Sequence, residues 1–262
     1  MTRLIVFSDL DGTLLDHETY SYAPAQPALD RLRAQAIPLV LATSKTAAEV
    51  VDLRADMGFA DYPAIVENGA GVLPAGATKA ATDASADDHA RLIAVLDQIP
   101  DALRAGFAGF TDWGPDGIAE KTGLSPDQAA KAGQRQFSEP GIWHGARADE
   151  DRFIAELARH GVAARRGGRF LTLSFGATKA GQMTAIRDAI APGARMMALG
   201  DAPNDAEMIA AADIGVVVAN PTAPDFTDLL GDAAGTVRRT TRAGPSGWNQ
   251  AVLQVVNQTE AS

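Results

Sequence analysis

The chain has no cysteine among its 262 residues. Disulfides and thiolate metal sites are thereby excluded, and the composition is compatible with a reducing cytoplasm, the expected compartment. Positive charge is in short supply: 23 Lys and Arg stand against 33 Asp and Glu, giving a net charge of −10. A nucleic-acid surface would need clustered Lys and Arg, so no nucleic-acid partner is expected. An anionic small molecule, by contrast, would need local cations. No apolar run approaches the length of a membrane span, and no membrane partner is expected. The residues before Asp9 are read as too few for a secretory signal. The four histidines, His17, His89, His144 and His160, lack metal-ligand spacing. There is no internal repeat and no low-complexity tract.

What is there begins with a short apolar run, Leu4 to Phe7, read as a buried strand. It ends at Asp9-Leu10-Asp11-Gly12-Thr13. Side chains alternate along an extended chain, so acids at i and i+2 share one face if the strand continues through them. Buried acids are costly unless a cation or hydrogen bonds hold them. The carboxyl end of a strand in an open α/β sheet is also where ligands bind. On these residues alone, a capped strand end and an Asp-Gly turn is an equal reading.

The same pattern recurs. A helical stretch, Pro27 to Ala36, leads to a strand over Pro38 to Ala42 that ends at Thr43-Ser44-Lys45-Thr46, with Ser44 as the candidate cap of the next helix. A third short strand, Ala64 to Val66, ends at Glu67-Asn68-Gly69. Composition shifts to Ala, Asp, Thr and Ser near 75–88, read as the exit into a second unit. There, Ser125-Pro126-Asp127-Gln128 is a capping box that starts a helix, Asp149 to His160 is another, and Arg169 to Phe175 is a half-exposed strand. Arg135 is expected on a helix that Glu139-Pro140 ends. From Gly176 the first pattern returns: Lys179 opens a helix, and Met196 to Leu199 is a strand ending at Gly200-Asp201-Ala202-Pro203-Asn204-Asp205. Strands alternating with amphipathic helices imply a doubly wound, Rossmann-type α/β parallel-sheet core. Its expected parts are 1–78 and 176–262, with an inserted α+β cap at 79–175.

In such a sheet Asp9, Asp11, Thr43, Asp201 and Asp205 meet on one edge, with Lys179 beside them. Several carboxylates repel one another unless a hard divalent cation sits among them, and oxygen ligands without Cys or His favour Mg²⁺. Lys179 and the Thr43 hydroxyl suit the oxygens of a phosphate.

These residues, taken in order, resemble the haloacid dehalogenase superfamily of phosphotransferases. The resemblance implies that Asp9 is the nucleophile and forms an aspartyl phosphate, while Asp11 acts as general acid and then base. It implies that Thr43 and Lys179 hold the phosphoryl group, and that Mg²⁺ is held by Asp9, the Asp11 main-chain carbonyl and Asp201, with Asp205 reaching the metal through a water or from behind its ligands. A phosphomutase uses the same residues, and release of free phosphate separates the two. A non-catalytic binding module would have little reason to keep all of them.

A narrower resemblance covers nearly the whole chain. Thr43 to Thr46, Val66 to Ala70, Glu120 to Leu124, Arg135 to Pro140 and Gly167-Gly168-Arg169-Phe170 are similar to the mannosyl-3-phosphoglycerate phosphatases, which form mannosylglycerate, a compatible solute. The implied partner is a phosphorylated sugar derivative. Its implied readers are Ser44, Lys45 and Asn68 on the core and Arg135, Glu139 and Arg169 on the cap, with the arginines as bidentate carboxylate forks. Members of that family often carry a histidine in the strand before Lys179 and an Asp just ahead of it; Thr172 and Thr178 stand there instead. A glucosyl-phosphoglycerate, sucrose phosphate or another sugar phosphate is the alternative substrate.

Overall fold

The computed structural model describes residues 4–77, 86–167 and 169–260. The expected boundary between 78 and 79, and Gly168, lie outside these residues. The chain opens with β1 (Leu4–Ser8), α1 (Gln26–Ala34), β2 (Leu39–Leu41), α2 (Ala47–Asp56), β3 (Ala64–Val66) and β4 (Gly71–Leu73). It continues with α3 (Ala86–Leu96), α4 (Asp101–Arg104), β5 (Phe107–Gly109), α5 (Phe110–Thr122), α6 (Pro126–Ala132), β6 (Ser138–Trp143), α7 (Arg147–Arg159), β7 (Ala163–Gly167) and β8 (Phe170–Ser174). It closes with α8 (Lys179–Ile190), β9 (Arg195–Gly200), α9 (Ala206–Ala211), β10 (Ile214–Ala219), β11 (Arg238–Ala243) and α10 (Gly244–Glu260).

Five strands form one sheet in the order β11-β10-β9-β1-β2, every neighbouring pair parallel. Four of its strands, β1, β2, β9 and β10, are short apolar runs because both faces are covered, whereas the edge strand β11 is polar and largely exposed. Leu4, Val6, Leu39, Leu41, Met197 and Leu199 pack with Leu29 and Leu32 of α1 and with Trp248, Val252 and Val256 of α10. Ile5, Phe7, Val40, Met196 and Ala198 point the opposite way, against Met183 and Ile186 of α8 and Met208 of α9. The two-residue period of the strand assigns each side chain to its face. All five strands run the same way, so their carboxyl ends share one edge.

β5 to β8 build a second sheet, antiparallel, in the order β5-β6-β8-β7. One face is buried: Phe107, Leu171 and Leu173 pack on Leu92 and Leu96 of α3 and on Phe153 and Leu157 of α7. The register Ser138↔Ser174, Pro140↔Thr172 and Arg165↔Thr172 sets Ser138, Ser174, Thr172 and Arg165 together on the other face. This is the α/β core with an antiparallel-sheet cap that the strand pattern implied.

Three local expectations change. β3 does not extend the main sheet as a full strand. It pairs antiparallel with β4 and meets the end of β2 through a single parallel bridge, Ala42 to Ile65. Arg135 lies in the irregular connection between α6 and β6, and Glu139-Pro140 sits inside β6, because the stretch is drawn into the sheet between β5 and β8. The cap of α2 is Thr46 rather than Ser44: its hydroxyl accepts the Glu49 N–H at 3.2 Å, and Glu49 returns a bond to the Thr46 N–H at 2.8 Å.

Candidate active site

Asp9 directly follows β1, and its N–H still donates to the Leu199 carbonyl at 2.9 Å, so the parallel ladder carries it to the sheet edge. Asp201 follows β9, the neighbour of β1, and Asp205 closes the short turn after it. Lys179 is the first residue of α8, whose cap is the Thr178 side chain. Its Nζ lies 2.7 Å from Asp9 Oδ1 and 2.7 Å from Asp205 Oδ1. All four side chains are buried. Asp201 is held on both oxygens, by Thr13 Oγ1 at 2.6 Å and by Asn220 Nδ2 at 2.6 Å. Gly12 makes this approach possible. Its φ is +78°, and a Cβ there would stand 2.5 Å from Asp201 Oδ2.

One carboxylate oxygen from each of Asp9, Asp201 and Asp205 lies within 4.8 Å of the other two. Burial first, then Asp205, pushes the Asp9 pKa up to about 7 against the pull of Lys179. Burial and Asp9 push Asp201 up to about 6, although its bonds from Thr13 and Asn220 favour the charged form. Burial also raises Asp205. Burial disfavours the Lys179 ammonium, yet Asp205 and Asp9 outweigh it and leave its pKa above the ordinary lysine value. Three buried carboxylates around one ammonium carry an excess of two negative charges when ionised. The donors are all hard oxygens. That charge and donor set fit a divalent cation of the Mg²⁺ type.

The Asp11 side chain is not in this cluster. Its Oδ2 lies 2.9 Å from Lys45 Nζ, while its Oδ1 is buried without a hydrogen-bond partner among the described residues. Burial disfavours the Lys45 ammonium, but Asp11 and Glu49 outweigh it and raise its pKa. Thr43 is fully buried, and its hydroxyl accepts the Lys45 N–H at 3.1 Å. Ser44 is exposed and offers its carbonyl to Arg135. Asn68 has φ +60° and donates its N–H to the Thr43 carbonyl at 2.9 Å.

Two spaces flank the acidic edge. A cavity of about 380 Å³ is lined by Lys179, Asn68 and Asn204 from the core and by Arg165, Thr172 and Ser174 from the cap sheet. A second, of about 490 Å³, lies between Tyr20, Lys45 and Glu49 on the core and Leu124, Gln128 and Lys131 on the cap.

The cap residues expected to read the substrate, Arg135, Glu139 and Arg169, line neither space. Arg135 donates to the Ser44 carbonyl at 3.2 Å and to Ser138 Oγ at 2.8 Å. Glu139 is buried on the helix-covered side of β6, taking the Thr111 N–H at 2.7 Å and standing 2.8 Å from His89 Nε2. Arg169 is exposed and reaches the Thr122 carbonyl at 3.2 Å. Trp143 packs on Phe153, ring centres 5.1 Å apart, inside the cap.

Sequence reasoning missed Asn220, Thr13 and Glu67. Asn220 follows β10 on the same sheet edge, a polar residue at a strand end, which is the signal that found the aspartates. Thr13 lay within the acidic motif. Glu67 is buried and joins the core to the cap: its carboxylate accepts the N–H groups of Gln136 at 2.9 Å and Phe137 at 3.1 Å, and the Ser138 hydroxyl at 2.7 Å.

Residues 6–111 and 174–224, more than half of the chain, match the family model of the haloacid dehalogenase-like hydrolases. The chain belongs to that family. Solved structures share its fold over nearly full length. A haloacid dehalogenase-like hydrolase from Bacteroides thetaiotaomicron has a TM-score of 0.68 at 18% identity, covering 97% of this chain and 100% of its own. The sucrose-phosphatase of Synechocystis, solved with sucrose and phosphate, has a TM-score of 0.66 at 15% identity, covering 97% and 98%. A subclass IIB sugar phosphatase of the same superfamily has a TM-score of 0.65 at 18% identity, covering 97% and 99%. At these identities the likeness is one of fold.

Proposed function

We propose that the protein is a Mg²⁺-dependent phosphohydrolase that releases phosphate from mannosyl-3-phosphoglycerate to give mannosylglycerate. The observation that carries the chemistry is the Lys179 ammonium set 2.7 Å from both Asp9 and Asp205, at the carboxyl edge of a parallel sheet and in the wall of a cavity closed by the cap. In this reading residues 79–175 form the cap and the flanking segments the core.

An Asp9 oxygen attacks phosphorus, and the bond from phosphorus to the substrate alcohol breaks. Asp11 gives its proton to the departing oxygen, which is otherwise a poor leaving group. Asp11 then takes a proton from water, the water oxygen attacks the aspartyl phosphate, and inorganic phosphate leaves with Asp9 restored. A carboxylate approaching a phosphate dianion meets like-charge repulsion, which Lys179 offsets while Thr43 bonds the transferring group. The cation would be held by Asp9, Asp201 and Asp205 with the Asp11 carbonyl, and would supply further charge neutralisation at the phosphoryl oxygens.

The wider class rests on the family and on this edge. The narrower substrate rests on the motif resemblance across core and cap. The folds of the sucrose-phosphatase and the sugar phosphatase favour a second reading, the same chemistry on another sugar phosphate. The test is phosphate release with Mg²⁺ from mannosyl-3-phosphoglycerate, its glucosyl analogue, sucrose phosphate and hexose phosphates. Strong preference for the mannosyl compound is expected. Preference for another member of the panel would replace the substrate and keep the chemistry, and no release from any member would remove the phosphatase assignment.

A further inference from the structure

A residue that reads the substrate can be assigned in the 380 Å³ cavity, on the assumption that the phosphatase reading holds. Among the described residues lining it, the cations are Lys179, Arg165 and Arg166. Lys179 is engaged by Asp9 and Asp205 at the phosphoryl end. Arg166 pairs in register with Leu171, a residue of the buried face, and its guanidinium is bound to Glu150 of α7. Arg165 is different. It is one residue removed, so it stands on the open face of β7 beside Thr172 and turns toward the core. Its Nη1 lies 2.9 Å from Glu207 Oε1 of α9, with the two side chains 51% and 54% exposed.

An ion pair that wet is weakly held and exchanges readily for another carboxylate. The exchange keeps the Arg165 fork paired and gives the incoming group two parallel N–H donors. Thr172 and Ser174 place hydroxyls on the same sheet face, in the same cavity. The chain as a whole carries −10, so a substrate anion far from Lys179 needs a local cation.

We infer that Arg165 binds a carboxylate of the substrate in exchange for Glu207. This assigns to Arg165 the task that the family resemblance implied for Arg135 and Arg169, both of which donate to backbone carbonyls elsewhere.

The test uses the matched pair 3-phosphoglycerate and glycerol 3-phosphate, which differ by a carboxylate against a hydroxymethyl group, with an aryl phosphate as a reference whose only charged group is the phosphate. The wild type should prefer 3-phosphoglycerate in kcat/KM. Arg165→Ala should reduce that preference by about tenfold or more, through KM, and leave the aryl phosphate rate nearly unchanged. Arg165→Lys should restore part of the preference. Arg165 is half exposed, so the thermal midpoints of both variants should stay near wild type. Equal losses on all three compounds, or a wild type that hydrolyses the aryl phosphate without preferring the carboxylate, would overturn the Arg165 assignment and leave the phosphatase reading standing. No hydrolysis of any of the three would overturn the Arg165 assignment, and the phosphatase reading falls with it only if mannosyl-3-phosphoglycerate and the rest of its panel are inert as well.

Discussion

Asn220 Nδ2 lies 2.6 Å from one carboxylate oxygen of Asp201, and the two residues end neighbouring strands of the sheet. With Thr13 on the other oxygen, the carboxylate is fixed in rotation before any cation arrives. Outer partners of this kind set ligand orientation. Asn220→Ala should raise the half-saturating Mg²⁺ concentration for phosphate release by about 10- to 100-fold, with a smaller change in the rate at saturating metal. A titration with unchanged half-saturation would show that Asn220 does not orient the ligand.

Asp9 offers a cleaner separation of chemistry from structure. Asp9→Asn removes the nucleophile's charge and almost no volume. Turnover should fall by about 10⁴-fold or more, the scale seen when a residue central to the chemistry is removed. The folded state should survive, since a neutral amide relieves repulsion from Asp205. Phosphate release and the thermal midpoint, measured on one preparation, check both halves; a variant retaining a substantial rate would move the attack to another residue.

Much of this arrangement is legible in the chain, for a physical reason. Leu4 to Phe7 and Met196 to Leu199 are buried on both faces and so read as unbroken apolar runs, and the acids that end them can only lie at the sheet edge. Lys179 follows the same logic at a helix start. The rest depends on contacts that no spacing encodes. Glu67, followed by Asn68 and Gly69, looks like a strand leading into a turn, yet its carboxylate is bound by residues 69 to 71 positions away. Gly69, at φ +98°, fits because a Cβ would collide with the Thr178 backbone, a neighbour distant in sequence. Glu139-Pro140 carries no strand signal, and β11 is an edge strand of Arg and Thr whose charge hides it. No spacing marks Arg165 either, because its partner Glu207 lies 42 residues further along the chain.

The raised pKa values of Asp9 and Asp201 give a pH dependence with a definite sign. Between the unfolded value of 3.8 and about 7, the folded protein holds a proton on Asp9 that the unfolded chain has released. Stability from this group therefore falls as pH rises through that window, and Asp201 acts likewise up to about 6. In metal-free protein the thermal midpoint of Asp9→Asn relative to wild type should rise from pH 5 to pH 8. A gap that stays flat would mean that Asp9 titrates at its ordinary value. Adding Mg²⁺ should stabilise the wild type most at the upper end, by about 2.7 kcal/mol at 100 times its dissociation constant.

Glu67 ties the core to the segment entering β6 through the main-chain N–H groups of Gln136 and Phe137 and the Ser138 hydroxyl, with Arg135 Nε 3.5 Å from the same carboxylate. Removing the acid strands several buried donors at once. Glu67→Ala should destabilise the protein by about 3–5 kcal/mol, the range for a buried charge pair that loses one partner. Glu67→Gln keeps the shape and one acceptor, and should cost clearly less. Because Asn68 of the same turn lines the cavity with Lys179, the alanine variant should also raise KM for the natural substrate while leaving Mg²⁺ half-saturation near wild type. Denaturant unfolding of both variants gives the stability difference, and a shared, small loss would show that water replaces the carboxylate without penalty.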